Sequence, residues 1–251
     1  MLDKAGKLMF GFLKKRRGGQ PPLFCSAVVP AAGSSRRMGG ENKLFAQVGG
    51  MAVLARTVMA LAGSELIGEI IVATREEDLM TAADLCRACG VEKPLKLVVG
   101  GATRLEPVAK ALEECDPRAT LAAVHDGARP LVTVDVIDEA VRRAAECYAA
   151  APAVPVKDTI KEAGEDGVVT ATPDRSRLFA VQTPQVFDMD LLKGALKAAL
   201  DAGITLTDDC GAVERLGKQV VLTKGSYENI KITTPEDLIL AQAIWDNRNG
   251  G

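Results

Sequence analysis

The 251-residue sequence is poor in several features that mark particular classes of protein. It has one histidine, His125, and no spacing typical of a Ser-His-Asp triad, which argues against acyl transfer. No apolar run approaches the length of a membrane span, so we expect no stable membrane association. The formal net charge of −2 gives no general attraction for nucleic acid, and we expect no nucleic-acid partner.

The six cysteines are scattered, without the dense regular spacing of a secreted disulfide framework. We therefore expect reduced thiols and a cytoplasmic protein. Cys86 and Cys89 form a CxxC pair, but no second pair follows it, and both lie in a helix-like stretch. Packing inside the fold explains this pair better than a redox or zinc site does.

The sequence has enough apolar residues, 47%, to bury a sizeable core as one large domain or two small ones. Its beginning differs in character: the first twenty residues carry six basic residues and one acidic residue. The short apolar patch LMFGFL precedes the basic cluster there, which is the wrong order for a secretory signal. We predict a basic, disordered extension over residues 1–22 and a single domain over residues 23–251.

From residue 23 onward, short β-branched runs alternate with helical periods. The predicted strands are 25–30, 69–74, 95–100, 121–126 and 151–156, and the predicted helices are 53–62, 76–89, 108–114 and 134–149. Apolar strands separated by helices are typical of a mostly parallel sheet that is covered on both faces. We therefore predict a Rossmann-like three-layer α/β/α fold, whose ligand site lies at the carboxyl ends of the strands.

Residues 158–175 break this rhythm, because two alternating runs flank residues 164–167 with no helix between them. This pattern predicts a β-hairpin. A hairpin with little core of its own needs a partner surface, so we predict that residues 157–176 form a dimerisation arm of a homodimer. Beyond the arm, the pattern predicts helices at 189–199 and 209–216, strands in QVVLTKG and ENIKIT, and a last helix that Thr234 caps and Pro235 begins.

Residues 28–43, VVPAAGSSRRMGGENK, place small residues directly after the first predicted strand. Residues 31–35 let a ligand approach the backbone closely, and their N–H groups suit phosphate oxygens. Arg36, Arg37 and Lys43 supply positive charge for a polyphosphate. The segment matches neither the GxxxxGK[ST] phosphate loop nor the GxG dinucleotide fingerprint, in which Ser35 replaces the second glycine. A solvated turn with surface arginines is the alternative.

VHDGARP, residues 124–130, follows another apolar strand and is therefore expected on the same rim of the sheet. Asp126 is a candidate ligand for a divalent cation, and Arg129 suits a phosphate group. We expect His125 to be a structural group at the strand end rather than a catalytic residue.

Three later segments complete the candidate rim. Lys231 in NIKIT either points to solvent from an edge strand or points into the site. In TLTDD, Thr207 or Asp208 suits a helix cap, which is a strong alternative to ligand binding. Pro184 in VQTPQVF is expected to fix a turn in a pocket wall.

The motifs PAAGSSRRM, GGATR, HDGARP, VPVKDTIK, DRSRLFAVQTPQVF, TDD and NIKITTPEDL occur in this order. The ordered set resembles the 2-C-methyl-D-erythritol 4-phosphate cytidylyltransferases, a family of sugar- and polyol-phosphate nucleotidyltransferases, over about residues 26–244. The resemblance implies transfer of CMP from CTP to methylerythritol phosphate, with Mg²⁺ or another divalent cation, in non-mevalonate isoprenoid biosynthesis. Because a phosphate monoester is already anionic near neutral pH, this reaction needs alignment and charge neutralisation more than a strong base.

The resemblance also implies roles for individual residues. Three cations would be catalytic: Arg37, Lys43 and Lys231. The CTP site would consist of Pro30, Ala31, Ala32, Gly33, Ser34, Ser35, Gly100, Gly101 and Asp126, and Asp126 would also contact the metal. The polyol phosphate would lie against Arg129, Thr207 and Lys231, together with Thr159 and Arg175 from the arm of the partner subunit.

The chain departs from the family pattern at three places. Ser35 stands where the family often has glycine, and Asn42-Lys43-Leu44 stands where it commonly has Pro-Lys-Gln, so the lysine is kept. Pro107 stands where the family usually has serine, and a base contact from that position is lost or replaced because proline has neither a hydroxyl nor an N–H. Two other functions stay open: a ribitol-5-phosphate cytidylyltransferase, with the same fold, nucleotide and arm, and a non-catalytic nucleotide-binding relative.

Overall fold

The computed structural model describes residues 23–33, 42–101 and 103–250. The predicted extension over residues 1–22 and the predicted site residues Ser34, Ser35 and Arg37 lie outside the described residues, as does Arg36. Within the described ranges, no helix is long and apolar enough to cross a membrane.

Four parallel strands form one half of the central sheet: β1 (Cys25–Pro30), β4 (Ile67–Thr74), β5 (Leu95–Val99) and β6 (Leu121–Val124). β1 lies between β6 and β4, and β5 pairs with the far side of β4. β1, β4 and β6 are buried along nearly their whole length because helices cover both faces, which is why these runs are apolar on both sides. A short hairpin of β2 (Gln47–Val48) and β3 (Met51–Ala52) stands apart from this sheet.

The other half of the sheet contains two strands that run antiparallel to the others. β11 (Gln185–Asp188) pairs antiparallel with both β6 and β7 (Ala149–Pro155), so β7 runs in the direction of β6. β10 (Phe179–Val181) extends this antiparallel pairing along β7, whereas β12 (Val221–Lys224) pairs with β7 in parallel. The sheet is therefore mixed but mostly parallel.

The described residues contain seven α-helices: α1 (Val53–Ala62), α2 (Leu79–Ala88), α3 (Glu106–Glu113), α4 (Val134–Cys147), α5 (Met189–Asp201), α6 (Cys210–Arg215) and α7 (Pro235–Asn249). α1, α2, α4 and α7 contribute to the apolar core on one face of the sheet, and α3, α5 and α6 contribute to a second core. The pleat of β1 sends Ala27 and Val29 to the first core and Val28 to the second. The predicted three-layer α/β/α fold is confirmed.

The predicted start of the last helix also has its expected cap. Pro235 begins α7, and the Asp237 side chain accepts a hydrogen bond from the backbone N–H of Thr234 at 2.8 Å, as in a capping box. The predicted helix over 76–89 begins differently, because residues 76–78 form a 3₁₀ turn before α2.

The predicted strand in ENIKIT is wrong. Residues 228–233 form an irregular loop, because their backbone bonds go to turns rather than to a neighbouring strand. The N–H of Asn229 bonds to the carbonyl of Ser226, and the N–H of Ile232 bonds to the carbonyl of Ala128 at 2.9 Å. Lys231 therefore stands on a loop packed against the turn after β6 and not on a sheet edge.

The predicted hairpin is present. β8 (Glu162–Ala163) and β9 (Val169–Ala171) pair antiparallel around a turn in which Gly167 has a φ of +77°, a value that favours glycine. Every residue from 157 to 172 is exposed, and in the described part of the chain these two strands pair only with each other. The hairpin thus extends from the body of the protein, and its role in dimerisation stays a prediction.

The six cysteines are unbonded. Burial raises the pKa of the Cys86 thiol to about 12, so little of it is thiolate near neutral pH. The Sγ of Cys89 donates to the carbonyl of Leu85 one helical turn earlier, at 3.1 Å. The CxxC pair packs within the fold, as its sequence context predicted.

Candidate active site

The end of β1 and the GGATR turn lie side by side at the carboxyl rim of the sheet. The N–H of Ala31 bonds to the carbonyl of Ala73 at 2.7 Å, and the N–H of Gly100 bonds to the carbonyl of Thr74, also at 2.7 Å. A Cβ added at Gly100 would lie 3.1 Å from the Cβ of Ala32. Four of the predicted CTP-site residues, Ala31, Ala32, Gly100 and the strand end Pro30, are therefore neighbours, and Gly33 continues the segment as an exposed residue.

Pro107 is buried in the wall formed by this turn. A Cβ added at Gly100 would lie 3.2 Å from the Cβ and Cγ of Pro107, so the proline ring and the glycine backbone are in close approach. A Cβ added at Gly101 would overlap the side chain of Glu106. Glycine is therefore favoured at both positions, because Ala32, Pro107 and Glu106 occupy the space that side chains there would need.

Asp126 lies at the centre of a charged cluster beyond the end of β6. Its Oδ2 accepts from the Nζ of Lys231 at 2.9 Å and from the Nε of Arg129 at 3.4 Å. The Arg129 side chain is 12% exposed and the Lys231 side chain 42%, so the lysine is the cation that a ligand reaches more easily. Burial opposes ionisation of Asp126, but the positive charges of Lys231 and Arg129 outweigh it and lower the pKa of the carboxyl group. Two cations around one carboxylate leave net positive charge for an anionic ligand.

A buried histidine, His125, contacts the residues that hold this cluster in place. The Nε2 of His125 lies 3.2 Å from the carbonyl oxygen of Arg129, which can only accept, so Nε2 carries the proton. Nδ1 is then an acceptor, and the hydroxyl of Thr183 donates to it at 3.0 Å while accepting from the N–H of Asp126 at 3.0 Å. Burial lowers the pKa of His125 to about 4, which keeps the ring neutral. The structural role expected for His125 agrees with these contacts.

Asn229 holds the Lys231 loop to the same turn. Its side-chain amide donates to the carbonyl of Thr183 at 2.9 Å, and its own carbonyl accepts from the Nη1 of Arg129 at 2.6 Å. Neither Thr183 nor Asn229 was a predicted site residue. The available signal was their position inside the motifs VQTPQVF and NIKIT, where polar residues interrupt apolar runs.

Lys43 lies in a turn that packs beside the Asp126 cluster. A Cβ added at Gly127, next to Asp126, would lie 3.5 Å from the Cδ2 of Leu44 and 3.5 Å from the carbonyl oxygen of Pro30. The described segment that begins at Asn42 therefore lies at the rim, between the ends of β1 and β6. This arrangement brings the half-buried Lys43 to the same region as Asp126 and the start of the Ala31 segment.

The TDD segment is anchored by hydrogen bonds that the sequence did not reveal in full. Asp208 accepts from the N–H of Gly211 at 3.0 Å, as expected of a residue at a helix start, and from the side-chain amide of Gln185 at 2.9 Å. Asp209 is buried and pairs with Arg104 at 3.2 Å. Thr207, the predicted substrate residue, is exposed just before this anchor.

Burial raises the pKa of Asp209, and within the described chain its Oδ1 has no hydrogen-bond partner. Arg104, the arginine of GGATR, supplies its one ion pair and so links the turn after β5 to the start of α6. Sequence reasoning assigned a role to neither residue, because they lie 105 positions apart and no local pattern joins them.

Thr159 and Arg175 lie on the exposed arm and do not join the cluster of their own chain. The Nη1 of Arg175 donates to the carbonyl of Lys157 at 2.6 Å, and Lys157 in turn lies over the ring of Tyr227 with its Nζ 3.4 Å from the ring centroid. In the part of the chain that the structure describes, no hydrogen bond or ion pair connects Thr159 or Arg175 to Asp126, Arg129 or Lys231.

The described residues contain no group of three or more His, Cys, Asp or Glu side chains that would hold a metal ion alone. Asp126 is the acidic side chain to which Lys231 and Arg129 both bond, and both ion pairs use its Oδ2. One carboxylate at the rim suits Mg²⁺, which is commonly held by one or two carboxylates together with substrate phosphates.

The chain is similar to known proteins of one family. Residues 25–247 match the family model described as "IspD: 2-C-methyl-D-erythritol 4-phosphate cytidylyltransferase". A relative of that name from Caldanaerobacter subterraneus subsp. tengcongensis is 45% identical over 223 residues, covering 86% of this chain and 96% of the relative. Another from Symbiobacterium thermophilum is 44% identical over 220 residues, covering 87% of this chain and 92% of the relative.

Two solved structures are similar over most of their length. The crystal structure of 4-diphosphocytidyl-2C-methyl-D-erythritol synthase from Anaerococcus prevotii has a TM-score of 0.81 and 31% identity, and the match covers 90% of this chain and 97% of that one. The crystal structure of 2-C-methyl-D-erythritol 4-phosphate cytidylyltransferase from Thermus thermophilus has a TM-score of 0.71 and 34% identity, with 87% and 97% covered.

Proposed function

Because the chain belongs to the family of 2-C-methyl-D-erythritol 4-phosphate cytidylyltransferases, we propose that the rim described above performs that family's reaction. The protein is a nucleotidyltransferase. It transfers CMP from CTP to 2-C-methyl-D-erythritol 4-phosphate and releases CDP-methylerythritol and pyrophosphate, a step of non-mevalonate isoprenoid biosynthesis. We place it in the cytoplasm.

The observation that carries the assignment of the site is the cluster of Lys231 and Arg129 around Asp126. The substrate phosphate is anionic and is itself the nucleophile, so it needs cations that hold it in line with the α-phosphate of CTP. The ammonium group of Lys231, on a side chain that is 42% exposed, and the guanidinium of Arg129 meet that need. The neutral His125 below them takes no part as a base, because its one acceptor nitrogen is occupied by Thr183.

The neighbouring segments divide the remaining tasks. Pro30, Ala31, Ala32 and Gly33, with Ser34 and Ser35, let the nucleotide approach the backbone, and Gly100 and Gly101 form a wall of the cytosine pocket. Arg37 and Lys43 neutralise the triphosphate as charge moves from the α-phosphate to the leaving pyrophosphate. Thr207 contacts the polyol phosphate beside Arg129. The proximity of the Ala31 segment, the GGATR turn and the Lys43 turn supports this division.

We propose that the protein uses Mg²⁺ or another divalent cation. Asp126 would hold it together with phosphate oxygens of CTP, since both of its ion pairs use Oδ2 and one carboxylate suits a single protein ligand at the rim. The cation would add positive charge at the α-phosphate and the leaving group.

We also propose that the protein is a homodimer whose arm, residues 157–176, completes the site of the partner subunit. The arm exposes Ile160, Val168 and Val169, with 39%, 61% and 53% of their surface accessible, on a hairpin that pairs with nothing else in the described chain. A two-stranded hairpin with exposed apolar side chains gains stability from a partner surface. Thr159 and Arg175 would then contact the substrate phosphate of the neighbouring site.

Pyrophosphate release with purified protein tests the assignment. We expect turnover with CTP and 2-C-methyl-D-erythritol 4-phosphate, and little with UTP, ATP or ribitol 5-phosphate. Preference for ribitol 5-phosphate would overturn the assignment of methylerythritol phosphate as the substrate. CTP binding without turnover of either polyol phosphate would show that the protein is a non-catalytic relative. The names of the relatives support methylerythritol phosphate.

A further inference from the structure

The turn that carries Lys43 is closed by its neighbour Asn42. The carbonyl oxygen of Asn42 accepts from the N–H of Phe45 at 2.8 Å, and its side-chain Oδ1 accepts from the N–H of Leu44 at 3.1 Å. Asparagine side chains commonly bond in this way to the backbone two residues on and so fix a turn. The backbone on both sides of Lys43 is therefore held by one residue.

The other end of the Asn42 side chain reaches the 3₁₀ turn that follows β4. Its Nδ2 donates to the Oδ2 of Asp78 at 3.0 Å, and Asp78 is 8% exposed. The same oxygen accepts from the Nε of Arg75 at 2.7 Å and from its Nη2 at 2.6 Å. Arg75 directly follows β4, the strand next to β1. The side chain of Asp78 is therefore held by Arg75 as well as by Asn42.

We propose that Asn42 and Asp78 are positioning residues that hold Lys43 on the triphosphate of CTP, an inference that rests on the catalytic role proposed for Lys43. The pair joins the Lys43 turn to the segment after β4 through one amide. The side-chain amide accepts a hydrogen bond from the N–H of Leu44 and at the same time donates one to the carboxylate of Asp78. Asparagine carries both the acceptor and the donor that these two bonds require. An aspartate would set two carboxylates against each other, and an alanine would make neither bond.

Other contacts, which do not involve the Asn42 side chain, also hold this part of the chain. The carbonyl of Leu44 accepts from the N–H of Leu54, and the carbonyl of Ala46 accepts from the N–H of Val53, both at 2.9 Å. These bonds fasten the residues after Lys43 to the start of α1, and Leu44 itself is buried. Loss of the Asn42 amide is therefore expected to loosen Lys43 while the chain stays folded.

The test compares Asn42→Ala, Asn42→Asp and Asp78→Asn by steady-state kinetics and thermal unfolding. Since a small misplacement of a catalytic group is costly, we expect Asn42→Ala to lower kcat about ten-fold with little change in the KM for the polyol phosphate. The matched control is Asp84→Asn, which removes an exposed carboxylate paired with Arg87 on α2 and should leave kcat unchanged. The double variant Asn42→Asp with Asp78→Asn restores a donor facing an acceptor and should recover most of the kcat lost in Asn42→Asp.

The effect of Asn42→Ala is compared in the unchanged protein and in a Lys43→Ala variant, because this comparison separates positioning of Lys43 from a general structural effect. In a Lys43→Ala background, Asn42→Ala should cause no further loss of kcat, because it acts through the lysine. A further ten-fold loss there, or a kcat for Asn42→Ala within two-fold of the unchanged protein, would overturn the inference. Near-normal turnover of Lys43→Ala itself would overturn the proposed role of Lys43, and this inference with it.

Discussion

Acidification is predicted to destabilise the protein through one side chain, His125. The ring is fully buried, with Nε2–H directed at the carbonyl of Arg129 and Nδ1 occupied by the hydroxyl of Thr183. A second proton would have to enter at Nδ1, where Thr183 already donates, and the new charge would have no water around it. Burial accordingly lowers the pKa of His125 from its ordinary value of 6.5 to about 4.

The direction of the effect follows from proton linkage. Below pH 6.5 the unfolded chain binds a proton at His125, whereas the folded protein does not until the pH approaches 4. The free energy of unfolding therefore falls as the pH is lowered between these two values, and the loss levels off below the folded pKa. At about 1.4 kcal/mol for each pH unit, this one group costs about 3 kcal/mol over the whole window.

The measurement is unusually direct because the sequence has a single histidine. In protein without a histidine tag, NMR of the imidazole should show the Nε2–H tautomer and a titration midpoint near 4. Urea unfolding at several pH values should show a steeper loss of stability than in His125→Gln, which keeps a donor for the Arg129 carbonyl but does not titrate. A midpoint above pH 6, the other tautomer, or equal slopes in the two proteins would refute the reasoning.

Three further predictions follow from the site. Lys231→Met should lower turnover by about 10²–10³, as expected for loss of a transition-state charge partner, and a pyrophosphate assay that shows near-normal turnover would contradict its role. Arg104→Ala should destabilise the protein by about 2 kcal/mol, because it leaves the buried Asp209 without its ion pair; the loss should be smaller in an Asp209→Asn background, and equal losses in urea unfolding would count against the pairing. Mixing Arg175→Ala protein with Lys231→Met protein should restore about a quarter of normal activity. Half of the randomly formed dimers would then be mixed, and each mixed dimer would contain one intact site out of two. No recovery after subunit exchange would exclude an arm that acts on the partner's site.

The strands of the sheet could be predicted from the sequence because their burial leaves a continuous apolar signature. β1 and β4 are covered by helices on both faces, so nearly every position must be apolar, and such runs stand out between amphipathic helices. The hairpin arm was predictable for a different reason, since alternating residues flank a turn with two glycines. The segment 228–233 misled the same reasoning, because its apolar residues pack beside the turn after β6 without forming a strand.

The amino-acid sequence by itself determined the alternation of strands and helices up to residue 156, the fold class and the residues that could carry phosphate chemistry, because these depend on local periodicity and on short motifs. Only the tertiary structure decided which of those residues meet and what supports them. Asp126 and Lys231 are 105 positions apart, and Thr183 reaches His125 across 58 positions, so no local pattern records either contact. Such contacts depend on how the loops at the carboxyl rim fold back on one another, and that is fixed by packing of the whole sheet.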